Sequence, residues 1–251
     1  MTISNSPFDS LTATGLPDCQ VLLRTTDWAA LGTARLTGGE FLPTVLVRLL
    51  DPDPVVQASA LDDLEPVRHQ NSLYEATVPV AMYVAALLSH PAADTIRPEV
   101  GRRAAYPMRA ALLDWIGSLA YDADDECVAM GERHGWSLGE DPYMRDFRDL
   151  RPLFYDAVAR FLDYANAVVR DAALLAAIPL AEHSELTRHR GELASHARRL
   201  LTTSTNRHDR SRALRALKTW GYDTTSLELP EDIATRRPGF SSGGCADEPP
   251  F

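Results

Sequence analysis

Lysine is nearly missing from this chain. Lys218 is the one example among 251 residues, so the 25 basic residues are otherwise all arginine, and 35 acidic residues leave a net charge of −10. That balance disfavours a nucleic-acid coat, which draws its affinity from neutralised phosphates, while leaving room for a local basic surface. Cysteine is scarce as well. Cys19, Cys127 and Cys245 are odd in number and far apart, which excludes a disulfide framework and a cysteine-rich zinc module and leaves reduced thiols. No apolar run approaches the roughly 18 residues needed to span a bilayer, and residues 1–17 lack the basic-then-apolar order of a secretory signal. A soluble cytoplasmic protein is the expectation. Strand-like alternation is also absent, so no sheet is available for helices to pack against. Yet 45% of the residues are hydrophobic, enough for a sizeable core.

What is present is helical periodicity. Leu42, Val45, Leu46, Leu49 and Leu50 recur at the spacing of one helix face. Asp51-Pro52-Asp53-Pro54 then supplies a turn, with Pro54 suited to the first position of a new helix and Asp53 to its cap. Val56, Ala60, Leu64 and Val67 form the stripe of that second helix, and the pair makes an antiparallel hairpin. The same unit returns later. Leu150, Leu153, Phe154, Ala157, Val158, Phe161 and Leu162 make a stripe, a turn follows over residues 163–166, and residues 168–174 align with residues 55–61 through both valines, an alanine and a leucine. Fainter copies start at Met108-Arg109 and Arg210. The aligned positions 57, 109, 170 and 210 are separated by 52, 61 and 40 residues, so insertions fall mid-chain. With no sheet, the hairpins must cover one another, which predicts an all-α, right-handed α-solenoid of stacked antiparallel helical hairpins.

Residues 42–61, with Pro43, Asp51, Val56 and Ala60, resemble a HEAT repeat, and Asp163, Val169 and Arg170 fit the same pattern in the later copy. Gln57 departs from it, standing where the pattern has an arginine, so the link between neighbouring repeats is expected to be missing from that copy. Trp28 with Leu31, and residues 69–77, resemble a HEAT-repeat group common in actinobacteria. The likeness covers about residues 25–222. It implies protein binding, and because some HEAT-like proteins serve as immunity partners of bacterial toxins, it extends to that role without naming a ligand. Residues 1–17 and 226–251 are expected to flank the repeat domain as flexible segments, since they hold little to bury.

Catalytic and metal motifs do not survive their context. Residues 135–139 match the G-x-S-x-G nucleophile elbow, but the polar, glycine-broken stretch before them is no strand, so an ordinary loop is expected. Asp122, Asp124, Asp125, Glu126 and Cys127, with Glu132 and His134, fit no metal-site spacing and read as a solvated acidic loop. No cofactor, metal or catalytic residue is expected. The loop over about residues 121–145 is long and carries Trp136, Tyr143 and Met144, which either meet a partner or pack on their own repeat. His69 and Gln70 lie at a junction between hairpins and are expected to satisfy backbone groups at helix ends, with Thr77 capping the next helix.

Between residues 187 and 218 nine basic residues face two acidic ones, a local charge of +7 that leaves −17 on the rest of the chain. Arg188, Arg199, Arg207 and Arg210 are candidate partner contacts within it, and the opposing expectation is a solvated or internally paired face. Two functions follow. One is a non-enzymatic module that binds another, basic protein such as a toxin through a concave face. The other is a HEAT-repeat DNA-binding protein or alkylpurine DNA glycosylase built on Asp114-Trp115 and the late arginines, against which the net charge argues.

Overall fold

A computed structural model describes residues 15–99 and 104–234. It is mostly helical, as periodicity predicts. A short helix α1 (Cys19–Thr25) precedes the hairpin α2 (Leu42–Arg48) and α3 (Pro54–Asp62). A second hairpin pairs α4 (Thr77–Leu87) with α5 (Met108–Asp122). Next come α6 (Asp125–Arg133) and α7 (Pro142–Asp149), then the hairpins α8 (Arg151–Ala159) with α9 (Ala167–Leu180) and α10 (Arg190–Thr203) with α11 (Arg207–Thr219). A short α12 (Pro230–Ala234) packs on α11. The second helices form a row in which α3 touches α5, α5 packs along α9, and α9 meets α11. Among the described residues the strands form two minimal antiparallel pairs, Arg68–His69 with Ser72–Leu73 and Ile96–Arg97 with Tyr106–Pro107. Among the described residues no helix is long and apolar enough to cross a membrane.

Three of the four second helices, α3, α9 and α11, start on a side-chain cap, and α5 starts without one. Asp53 accepts from Val55 N–H at 2.8 Å ahead of Pro54, Asn166 from Val168 N–H at 2.9 Å, and Asn206 from His208 N–H at 2.9 Å. Such caps fix the register, and the register puts one particular side chain in each helix against the end of the helix before it. Gln57 Nε2 donates to Leu49 O at 3.1 Å, Arg109 Nε to Leu88 O at 2.9 Å, Arg170 to Tyr164 O and Ala165 O at 2.8 and 2.9 Å, and Arg210 to Leu201 O and Ser204 O. These are the positions aligned by the repeat. Three of them also reach the following unit: Gln57 to Ala92 O at 3.0 Å and to the Thr95 hydroxyl, Arg109 to the Tyr164 hydroxyl at 2.7 Å, and Arg210 to Leu227 O at 2.9 Å and Asp232 at 2.7 Å. Gln57 therefore does not lack the link. A fully buried neutral amide supplies it without a charge to desolvate. In the later copy Asp163 meets Arg199 of α10 at 3.6 Å instead of Arg170.

Three further expectations are corrected. The stretch over residues 121–145 is largely helical: Asp124 caps α6 through Cys127 N–H at 2.7 Å, and Asp141 with Pro142 starts α7, so acidic residues that read as loop are helix caps. The turn at Gln70 and Asn71 is a tight hairpin with φ of 50° and 60°, while His69 pairs with Glu65 at 2.5 Å. Thr77 occupies the first turn of α4, and its hydroxyl donates to Val67 O at 2.5 Å and accepts from Tyr74 N–H at 2.8 Å. Finally, the ends are tied in. Leu16 is fully buried and Asp232 is held by Arg210, so the body extends beyond residue 225; the expectations for residues 1–14 and 235–251, Cys245 included, lie outside the described residues.

Replacing Gln57 by leucine keeps the volume but leaves Leu49 O without its partner and takes Gln57 away from Ala92 O and the Thr95 hydroxyl, which keep only each other at 3.3 Å. The expected loss is about 3 kcal/mol, read as a lower urea midpoint at unchanged m-value.

Candidate functional site

The row α5, α9, α11 leaves a cavity of about 350 Å³ on its open side. Its floor is apolar, with Gly117 from α5 and Ala172, Leu175 and Ala176 from α9. Gly117 is what lets α5 and α9 close up, because a Cβ there would lie 3.0 Å from Ala176 Cα. The walls are polar: Tyr106 and Asp114 on one side, Asp171 in the middle, and Asn206, His208, Asp209 and Arg212 on the other.

The electrostatics of these walls follow from geometry. The Tyr106 hydroxyl donates to Asp114 Oδ2 at 2.8 Å. Asp114 is open to the cavity, but protein surrounds it on the other sides. Loss of bulk water pushes its carboxyl up to about 6, an effect opposed by the Tyr106 hydrogen bond and reinforced by Asp209. Asp171 and Asp209 are raised by the same desolvation, Arg212 opposing it at Asp209. Neither of these two carboxylates takes a hydrogen bond or a salt bridge from the described residues. Arg212 is the cation of the wall. Its guanidinium stacks 3.7 Å from the Tyr121 ring centroid, and burial lowers its pKa. Desolvation and the nearby Arg212 and Arg215 also depress His208, which favours the neutral imidazole. Three carboxylates thus share a confined, partly dry space with one arginine. Ser118 donates to the backbone oxygen of Asp114 at 2.8 Å. Among the described residues no group of three or more His, Cys, Asp or Glu is arranged to hold a metal.

The residues singled out from sequence do not converge here. Trp136 is half-buried and closes on Gly131, where an added Cβ would meet its ring at 2.6 Å; Tyr143 is exposed at the start of α7. Met144 is buried in the core, and Arg210 is buried in its carbonyl and Asp232 contacts, so folding removes both from any partner surface. Arg188 lies beside His189, and Arg199 donates to Leu162 O at 3.0 Å. Arg207 is exposed at the first position of α11, between cavity residues Asn206 and His208 in sequence. Much of the +7 segment is internally engaged: Arg190 on Ala181 O, Arg198 over Tyr222, Lys218 on Glu228. Of the Asp114-Trp115 pair, only Asp114 faces the cavity, since Trp115 is buried. Sequence reasoning missed Tyr106, Asp171, His208 and Asp209. The available signal was their helical spacing, with Val168, Asp171, Ala172 and Leu175 on one face of α9 and His208, Asp209 and Arg212 on one face of α11.

Comparison with family models, curated proteins and solved structures finds no match to the chain.

A valine at position 117 would wedge α5 away from α9. Gly117→Val is expected to cost about 2 kcal/mol through overpacking, measured by thermal or urea unfolding.

Proposed function

We propose that the stacked hairpins are a HEAT-like, right-handed α-solenoid and that the chain is a non-enzymatic module binding another protein in the cytoplasm. Its inner-face cavity takes a cationic side chain of a basic partner, with the apolar floor receiving the aliphatic stem. The observation that carries this reading is the convergence of Asp114, Asp171 and Asp209 on one cavity where, among the described residues, neither Asp171 nor Asp209 takes a hydrogen bond or a salt bridge. Desolvated carboxylates left in that condition cost free energy, and a guanidinium or ammonium would offset it. Exposed Val168 at the rim adds an apolar contact. A basic toxin whose antidote this chain provides fits the charge, and so does a basic scaffold partner. Nucleic acid fits poorly, since Asp171 and Asp209 would face its phosphates.

The test is a tagged pull-down from host lysate at moderate salt, with nuclease treatment, run beside the variant Asp114→Asn/Asp171→Asn/Asp209→Asn. Wild type is expected to retain one stoichiometric basic protein, and the triple variant to lose it by at least about tenfold while keeping the wild-type circular dichroism spectrum. Capture of nucleic acid alone, or equal capture by the variant, would sink the reading. The same interaction should weaken as pH falls from 7.5 to 5. Asp114 is ionised above about 6 and neutral below it, so the cavity loses attraction for a cation on the acidic side.

A further inference from the structure

The inner cavity holds charges of both signs that do not pair with each other. Asp209 and Arg212 stand three residues apart on α11, the spacing of neighbours on one helix face, and both line the cavity. No ion pair joins them, and among the described residues Arg212 finds no hydrogen-bond acceptor at all. Arg210 and Arg215 on the same helix, by contrast, each hold a carboxylate, that of Asp232 and that of Glu126. What holds Arg212 is a ring. Its guanidinium lies 3.7 Å from the centroid of Tyr121, a buried side chain near the end of α5. Stacking occupies a face of the guanidinium plane, whereas the N–H groups point outward from its edge. The fork that takes a carboxylate through two parallel bonds is thus held in place with no acceptor among the described residues.

In the same cavity Asp171 and Asp209 have no donor among the described residues, and Ala172, Leu175 and Ala176 supply an apolar floor. A ligand that answers all of these features carries a cation, an aliphatic stem and a carboxylate. In a polypeptide a free cation and a free carboxylate belong to one residue only at a chain end: an acidic residue that starts the chain, or a basic residue that ends it. The acidic residue has a short stem and the basic one a long stem, which lies well along apolar surface while its charged head stays with polar groups. A cavity of about 350 Å³ is at the small end of ligand sites, suited to one residue and not to an extended segment.

We propose that the cavity captures the last residue of a partner chain, an arginine or a lysine, with its α-carboxylate on Arg212, its stem on the apolar floor and its side-chain cation among Asp114, Asp171 and Asp209. This inference rests on the reading that the cavity takes a cation, and adds the carboxylate to it. The pairing of both charges with fixed groups selects a chain end over the same basic residue inside a chain, where an amide stands in place of the carboxylate.

Calorimetric titration of the full chain with a short N-acetylated peptide ending in arginine, as the free acid and as the C-terminal amide, tests it directly. Wild type is expected to bind the acid about tenfold more tightly than the amide, the scale of one charge-assisted pair. Arg212→Gln is expected to lose that preference and to bind the amide as wild type does, whereas Asp171→Asn/Asp209→Asn weakens both forms alike. Free L-arginine, whose α-ammonium adds a second cation beside Arg212, is expected to bind more weakly than the peptide acid. Equal binding of acid and amide by wild type overturns the capture of a chain end and leaves the cationic reading standing. The proposal is also overturned by a preference that survives in Arg212→Gln, by tighter binding of free L-arginine, or by no binding of either peptide; the last, together with equal lysate capture by the triple aspartate variant, removes the cationic reading as well.

Discussion

A helix ends with carbonyls that have no partner of their own, and a stack of short hairpins has many such ends to satisfy. In this chain one side chain from the first turn or so of each second helix answers that need. Gln57, Arg109, Arg170 and Arg210 reach back to the end of the preceding helix or to its turn, and three of them go on to grip the next unit. Two jobs fall to one group. Closing a hairpin and fixing its neighbour become the same event, which is why a guanidinium as deeply buried as that of Arg210 is tolerated: every direction in which it points holds an acceptor.

The same constraint decides what faces the cavity. With Arg170 and Arg210 turned against the preceding helix, Asp171 and Asp209 stand about 100° away from them in opposite senses, and both line the cavity between α9 and α11. Gly117 brings α5 close to α9, and carboxylates from α5, α9 and α11 share the space beside them.

The hairpins, their caps and the positions of the links were legible in the sequence, because apolar stripes at helical spacing and Asp or Asn before a helix act locally. Asp53-Pro54 shows this directly. The cavity was much less legible. A segment with a charge of +7 invites a reading as a basic surface, but a sum of charges says nothing about where each points. Arg198 lies over Tyr222, Arg212 over Tyr121, and Lys218 pairs with Glu228, contacts that join distant parts of the chain. The acidic stretch around Asp124 misled in the opposite way: its carboxylates looked like loop solvation, whereas Asp124 caps a helix and Asp125 and Glu126 take arginines from α7 and α11.

Gln57 differs from its three counterparts in carrying no charge, and this gives the row of hairpins a direction. Amide hydrogen bonds in a dry interior are indifferent to ionic strength and to pH, whereas the pairing of Arg210 with Asp232 at the other end, although buried from salt, depends on the Asp232 charge. Salt therefore leaves both end joints alone, and only acid strong enough to protonate Asp232, whose carboxyl Arg210 holds below the usual range, reaches the last one and not the first.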